Sequence, residues 1–218
     1  MRKMIQAVLV TAALTQVTAC ADRPEGADSA AETPDFALKP EDVKPVSTGS
    51  AAPAAVLRAP DGATVDLAQA YGRAPTVLIF YRGGWCPFCS AHLGKIATIQ
   101  DSLAGLGVQV LAVSPDRPEK LRESAEGQSL QYQLLSDSDM ALTKAFGLAF
   151  RMTDEDVAKY AAAGLDLAEA SGHDHHLLPV PAVYLIDTTG MIRFAHWDPD
   201  YRKRIATDSL LQAVRSTR

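Results

Sequence analysis

The stretch Tyr81-Arg82-Gly83-Gly84-Trp85-Cys86-Pro87-Phe88-Cys89 decides how this chain reads. It starts where the apolar run Thr76 to Tyr81 ends, and it gives way to residues at helical spacing. A continuous apolar run of strand length suits a strand buried on both faces of a sheet. The two cysteines therefore fall at a strand-to-helix junction. Backbone donors and the positive end of a helix dipole there stabilise a thiolate, which is the reactive form of the residue. A spacing of i, i+3 on one helical face brings the two sulfurs within disulfide reach. Pro87 suits the first turn of a helix, where its missing N–H is no loss. The pattern predicts a redox protein working through Cys86 and Cys89.

The rest of the chain alternates between two periodicities. Val108 to Val113 and Leu130 to Leu135 read as further strands, and Asp61-Gly62 reads as a turn between two short ones. Val183 to Ile186, Asp187-Thr188-Thr189-Gly190 and Met191 to Phe194 form a hairpin signature. Helical spacing runs from Pro87 to Leu106 with a stop at Gly107, and again over Pro118 to Ala125, Asp139 to Leu148 and a last helix capped by Thr207 or Asp208. This predicts an α/β fold, a mixed central sheet with helices on both faces. Phe150 to Leu178 breaks the pattern and reads as an insertion over one end of the sheet. The charged cluster Asp116 to Glu126 reads as a solvated helix face.

Composition bounds the rest. The chain has 218 residues, 47% hydrophobic and 22% charged, which is one globular domain with extensions. Its net charge of −5 gives no reason to expect nucleic acid as a partner. Residues 1–19 read as a signal peptide: Arg2 and Lys3, then an uncharged apolar run too short to span a membrane comfortably. Val17-Thr18-Ala19-Cys20 resembles a bacterial lipobox, so Cys20 is expected to carry a lipid and to anchor an exported protein on the periplasmic side of a membrane. Ala21 in place of an acidic residue favours the outer membrane. An ordinary secretory signal with an incidental cysteine is the other possibility. Residues 20–54, rich in Ala, Pro, Asp, Glu and Ser, read as a tether ahead of a domain over 55–218.

Cys-x-x-Cys after a strand, with Trp85 before it, resembles the thioredoxin superfamily. Leu178 to Asp187 resembles that superfamily's proline loop. The resemblance implies a thioredoxin-like fold in which a cis Val180–Pro181 bond abuts the cysteines. Over its length the domain resembles the peroxiredoxin-like subgroup of the alkyl hydroperoxide reductase and thiol-specific antioxidant (AhpC/TSA) family. The matching residues, besides the stretch quoted above, are Val113-Ser114-Pro115-Asp116, Leu134-Leu135-Ser136-Asp137, Ala145-Phe146-Gly147-Leu148 and the hairpin. Cys89 then falls on the family's peroxidatic cysteine. The peroxide-holding residues differ, with Arg82 at the family's proline position, Cys86 at its threonine and Pro181 at its arginine.

Two cycles follow from the resemblance. In a thiol peroxidase, Cys89 is oxidised to the sulfenic acid and Cys86 resolves it. In a disulfide oxidoreductase, Cys86 is the nucleophile and Cys89 releases the mixed disulfide. Either cycle ends in a Cys86–Cys89 disulfide that a thioredoxin-like dithiol partner must reduce, and neither uses a cofactor. Trp85, Pro87, Arg82 and Pro181 are expected to shape the site. His92, three residues past Cys89, is a nearby cation or a plain helix histidine. With no second cysteine pair a structural zinc site is not expected. A third possibility is a copper module that adds His173, His175 or His176 to the two cysteines.

Overall fold

In the computed structural model, residues 34–126, 130 and 132–217 are described. The compact unit begins at Pro34, ahead of the expected boundary at Ala55. Residues 34–54 pack on the domain: Ala37 bridges to Phe150, Lys44 N donates to Gly147 O at 3.1 Å, and Val43 enters the core. Residues 34–54 are thus part of the domain and not the expected tether, because a short apolar anchor suffices to hold them down.

Nine strands and eight α-helices follow among the described residues. Strands β1 (Val56–Arg58) and β2 (Thr64–Asp66) form the expected hairpin, and α1 (Leu67–Arg73) is capped by Asp66, whose carboxylate accepts from Ala68 N and Gln69 N. Then come β3 (Thr76–Phe80), α2 (Pro87–Ala97), α3 (Gln100–Gly105), β4 (Gln109–Ser114), α4 (Pro118–Glu126) and β5 (Gln133–Ser136). The long helix expected after Pro87 is two helices, because Ile99 at φ −109° leaves the helical range between them. Next are α5 (Ala141–Ala145) and β6 (Ala149–Arg151), then α6 (Asp154–Ala162), α7 (Leu167–Ser171) and β7 (Leu177–Pro179). The helix expected from Asp139 is only five residues long, since Met140 stands in the left-handed region just before it. Finally β8 (Ala182–Ile186), β9 (Ile192–Trp197) and α8 (Thr207–Ser216) close the domain. Helix α8 starts one residue earlier than a Thr207 cap would place it, with Ala206 at the N-cap and no side-chain cap.

The main sheet has the order β2-β1-β5-β4-β3-β8-β9, with β3, β4 and β5 parallel and the other pairings antiparallel. Alternation sends Leu78, Phe80, Leu111, Val113 and Tyr184 into one core, with Leu67 and Phe146 above them. Val77, Ile79, Tyr81, Val110, Ala112 and Val183 face the other core, under Leu93 and Ile96 of α2 and Leu210 and Val214 of α8. Both faces of β3 are therefore dry, as its unbroken apolar run demands. This is the thioredoxin-like arrangement, with the cysteines where the central strand β3 hands over to α2.

The irregular segment is held at both ends by a second sheet, β6 paired antiparallel with β7. Helices α6 and α7 hang between those two strands. The Val180–Pro181 peptide bond is trans, as are all peptide bonds among the described residues, in contrast to the expected cis bond. Val180 N donates to Leu148 O at 2.9 Å, and Ala182 already pairs with Phe80, so the chain runs straight from one sheet into the other. A bend between them would break one of the two registers.

Candidate active site

Two glycines set the path from β3 to the cysteines. Gly83 adopts φ +147°, and a Cβ there would lie 2.2 Å from Trp85 Nε1, so only glycine lets the indole fold back over the loop. A Cβ on Gly84 would lie 1.8 Å from Ser124 Oγ, and Gly84 N donates to Asp116 Oδ2 at 2.7 Å. The loop is thus clamped between the end of β4 and α4. Pro87 opens α2 and Cys86 is its N-cap residue. The Cys86 carbonyl accepts from Cys89 N at 2.9 Å and Ser90 N at 3.0 Å, which places Cys86 at the positive end of the helix and Cys89 one turn in.

Both thiols are reduced, and they differ electrostatically. Cys86 is 2% exposed and Cys89 is fully buried. A hydrogen bond from the Cys89 thiol lowers the Cys86 pKa to about 6; burial opposes it, and the Cys89 backbone N–H and the charges of Arg82 and Arg204 assist. The Cys89 pKa is raised, first by that same hydrogen bond and then by burial. The pair therefore shares one proton, with the negative charge on Cys86. That ordering matches the disulfide-exchange assignment of the nucleophile and not the register that puts the peroxidatic sulfur at Cys89.

Two arginines act on the pair. Arg204, in the loop after β9, points Nη2 at Cys89 Sγ at 3.5 Å, and its Nη1 donates to Lys203 O at 2.8 Å. Local sequence gives no sign of this: Arg204 is the last of three basic residues in a turn, 115 positions from the sulfur it meets. The Arg82 side chain turns into an aromatic cage, its guanidinium carbon 5.3 Å from the Trp85 ring centre, 5.6 Å from Tyr160 and 4.2 Å from Tyr201. Its Nη2 donates to Tyr160 Oη, while its backbone N–H serves Cys89. Tyr160 stands on α6, so the insertion does cover the site. Trp85 packs on Tyr160 at 5.7 Å between ring centres, and Phe88, 45% exposed, meets Tyr201 edge-on at 5.6 Å. Pro181 lines a cavity with Arg82 and Tyr201.

Three further groups sit differently from expectation. Asp116 is buried at 2% exposure instead of lying on a solvated face, because its carboxylate holds the Gly84 amide, and burial pushes its pKa up to about 6. His92 is buried with its pKa lowered to about 4, first by burial and then by Arg204, so it is neutral and supplies no cation. The loop histidines do not join the cysteines. His175 Nε2 bonds Ser138 O and its Nδ1 accepts from Leu177 N, both at 2.9 Å, leaving no nitrogen for a metal. No group of three His, Cys, Asp or Glu residues arranged to hold a metal occurs among the described residues. The copper arrangement is thereby set aside, since His175 is tied into the loop's own folding. Cys20 lies outside the described residues, and no helix among the described residues is long and apolar enough to cross a membrane.

Comparison with known proteins agrees with this architecture. Residues 30–195 match the AhpC/TSA family. Peroxiredoxin Bcp of Escherichia coli K12 is 34% identical over 106 residues, which cover 49% of this chain and 67% of that protein. Among solved structures, reduced Prx3 of Vibrio vulnificus in complex with H2O2 superimposes with a TM-score of 0.64 at 19% identity, covering 78% of this chain and 99% of that one. Peroxidoxin BcpB of Mycobacterium tuberculosis does so with a TM-score of 0.61 at 20% identity, covering 78% and 97%. Arg204 lies beyond the span that matches the family.

Proposed function

The chain belongs to the AhpC/TSA family, and from that premise we propose that it is a thiol peroxidase in which Cys86 attacks and Cys89 resolves. The observation that carries the order of the sulfurs is position: Cys86 is the N-cap residue of α2, where the helix end and the Cys89 thiol lower its pKa, while Cys89 lies one turn in and fully buried. The Cys86 thiolate attacks the distal peroxide oxygen, the O–O bond breaks, and the departing alkoxide or hydroxide takes a proton. Cys86 is then a sulfenic acid. Cys89 attacks its sulfur, water leaves, and the Cys86–Cys89 disulfide forms. A dithiol protein returns both sulfurs to the thiol state. Arg204, beside Cys89 Sγ, offsets the negative charge that builds when that thiol gives up its proton.

Disulfide exchange through Cys86 is the second reading, favoured by Arg82, Cys86 and Pro181 standing at the positions of the family's proline, threonine and arginine. Steady turnover separates the two. The full chain, supplied with a thioredoxin system, should consume hydroperoxide catalytically and reduce insulin disulfides poorly. Rapid insulin reduction with no peroxide consumption would overturn the peroxidase assignment.

We also propose that Cys20 is lipidated and that the domain works on the periplasmic side of a membrane. The motif Val17-Thr18-Ala19-Cys20 supports this. Intact-mass measurement of protein made in a bacterium should find residue 20 acylated at the N-terminus; an unmodified soluble chain would refute it.

A further inference from the structure

Arg82 is buried, 3% exposed, and makes no ion pair with a carboxylate among the described residues. Three aromatic faces and the Tyr160 hydroxyl hold its guanidinium, and its Nε is buried without a hydrogen-bond partner. A guanidinium kept out of water with a donor unused is costly unless an anion is at hand. Beside it lies a cavity of about 370 Å³. Phe150, Met152, Pro181, Pro199 and Tyr201 give that cavity mostly apolar walls. Lys159 and Asp156, also on its lining, pair at 3.2 Å in the exposed part of the wall, and Lys159 pairs with Glu155 as well at 2.9 Å. The buried charge on this lining is that of Arg82.

We propose that this cavity binds a monocarboxylic acid with an apolar body, its carboxylate on Arg82 and its hydrocarbon against Phe150, Met152 and the prolines. A guanidinium fork matches a carboxylate, and one buried cation balances a single negative charge, which disfavours a phosphate dianion. Apolar walls beside one polar anchor are the usual make-up of such a pocket. Occupancy also reaches the thiols. The Arg82 charge favours the Cys86 thiolate, so a carboxylate paired with Arg82 withdraws that support and slows attack by Cys86. The site is defined by binding and holds whether the enzyme takes peroxides or disulfides.

The test uses the reduced full chain labelled with methyl-¹³C methionine, titrated with octanoate and separately with octan-1-ol. Octanoate should bind and shift the Met152 methyl resonance while those of Met140 and Met191 hold. Octan-1-ol should bind at least about tenfold more weakly, the ratio expected for one charge-assisted pair. Arg82→Gln should abolish the preference for the acid. Should that variant fail to fold, the comparison of acid and alcohol in the unmodified protein decides alone. No octanoate binding, equal binding of the alcohol, or a Met152 resonance that stays put would overturn the proposal.

Discussion

Replacing Cys89 by Ala tests whether one sulfur holds the charge of the other. In the intact pair the largest cause of the low Cys86 pKa is the hydrogen bond from the Cys89 thiol. A hydrogen bond to a charged acceptor contributes about 1.5–3 kcal/mol, or roughly 1–2 pKa units. In Cys89→Ala the Cys86 midpoint should therefore rise from about 6 to ~7–8, held below the ordinary thiol value by the helix N-terminus and the two arginines. At neutral pH the thiolate fraction then falls from roughly 90% to between about 10% and 50%, and attack on peroxide slows in proportion. The assay is a pH titration of the ultraviolet thiolate band, with Cys20 replaced by Ser in every protein compared. Cys86→Ala removes the largest cause of the raised Cys89 pKa, so the Cys89 midpoint should fall from its place in the pair while burial still holds it above the ordinary thiol value. A Cys89→Ala midpoint still near 6, or a low midpoint in Cys86→Ala, would refute the shared proton.

Arg204→Gln should move the Cys86 midpoint up by as much as ~1 unit and slow peroxide oxidation severalfold on the acid side of neutrality, with thermal stability unchanged. A pH–rate profile that does not shift would remove Arg204 from the mechanism. Gly84→Ala drives a methyl into Ser124, whose Oγ and Cβ would lie at 1.8 and 2.7 Å, and should cost ~1–3 kcal/mol in urea unfolding. Ser124→Gly, which removes both atoms, should restore most of it; no recovery in the double variant would mean the clamp lies elsewhere. Asp116 has a raised folded-state pKa, so its stabilising contribution is full below its ordinary value of 3.8 and is lost as pH rises through about 6. Above pH 6 the buried charge costs up to ~3 kcal/mol, so Asp116→Asn, which keeps an acceptor for Gly84 N–H, should be the more stable protein at pH 8. Parallel stability–pH curves for the two proteins would contradict this.

Strong local pattern carried most of the fold. The run Thr76 to Phe80 is apolar at every position because both faces of β3 are covered, and Val110 to Val113 beside it is buried for the same reason. Short pieces were not legible: β6 and β7 have three residues each, and what makes them strands is their mutual pairing across the α6–α7 insertion. The start of the domain was hidden likewise, since Pro- and Ala-rich chain before Ala55 is held by one buried residue, Val43, by the half-buried Phe36, Ala37, Val46 and Ala52, and by a few backbone bonds. In the site, Cys86, Cys89, Trp85 and Pro87 could be placed because their spacing is itself the signal. Arg204 could not, because its contact depends on tertiary closure alone. Asp116 stands at the head of a charged run, and only the tight approach of Gly84 turns it inward.

In the proposed cycle Cys86 is the sulfur that meets the peroxide. One stoichiometric dose of hydrogen peroxide, rapidly mixed with reduced Cys86→Ser and Cys89→Ser proteins and quenched with a sulfenic-acid trap, locates the first oxidised sulfur by peptide mass. Fast labelling of Cys86 is expected in the Cys89→Ser protein, and none of Cys89 in the Cys86→Ser protein. Fast labelling of Cys89 in Cys86→Ser, with Cys86 inert in its counterpart, would contradict that cycle and restore the order that the family register implies.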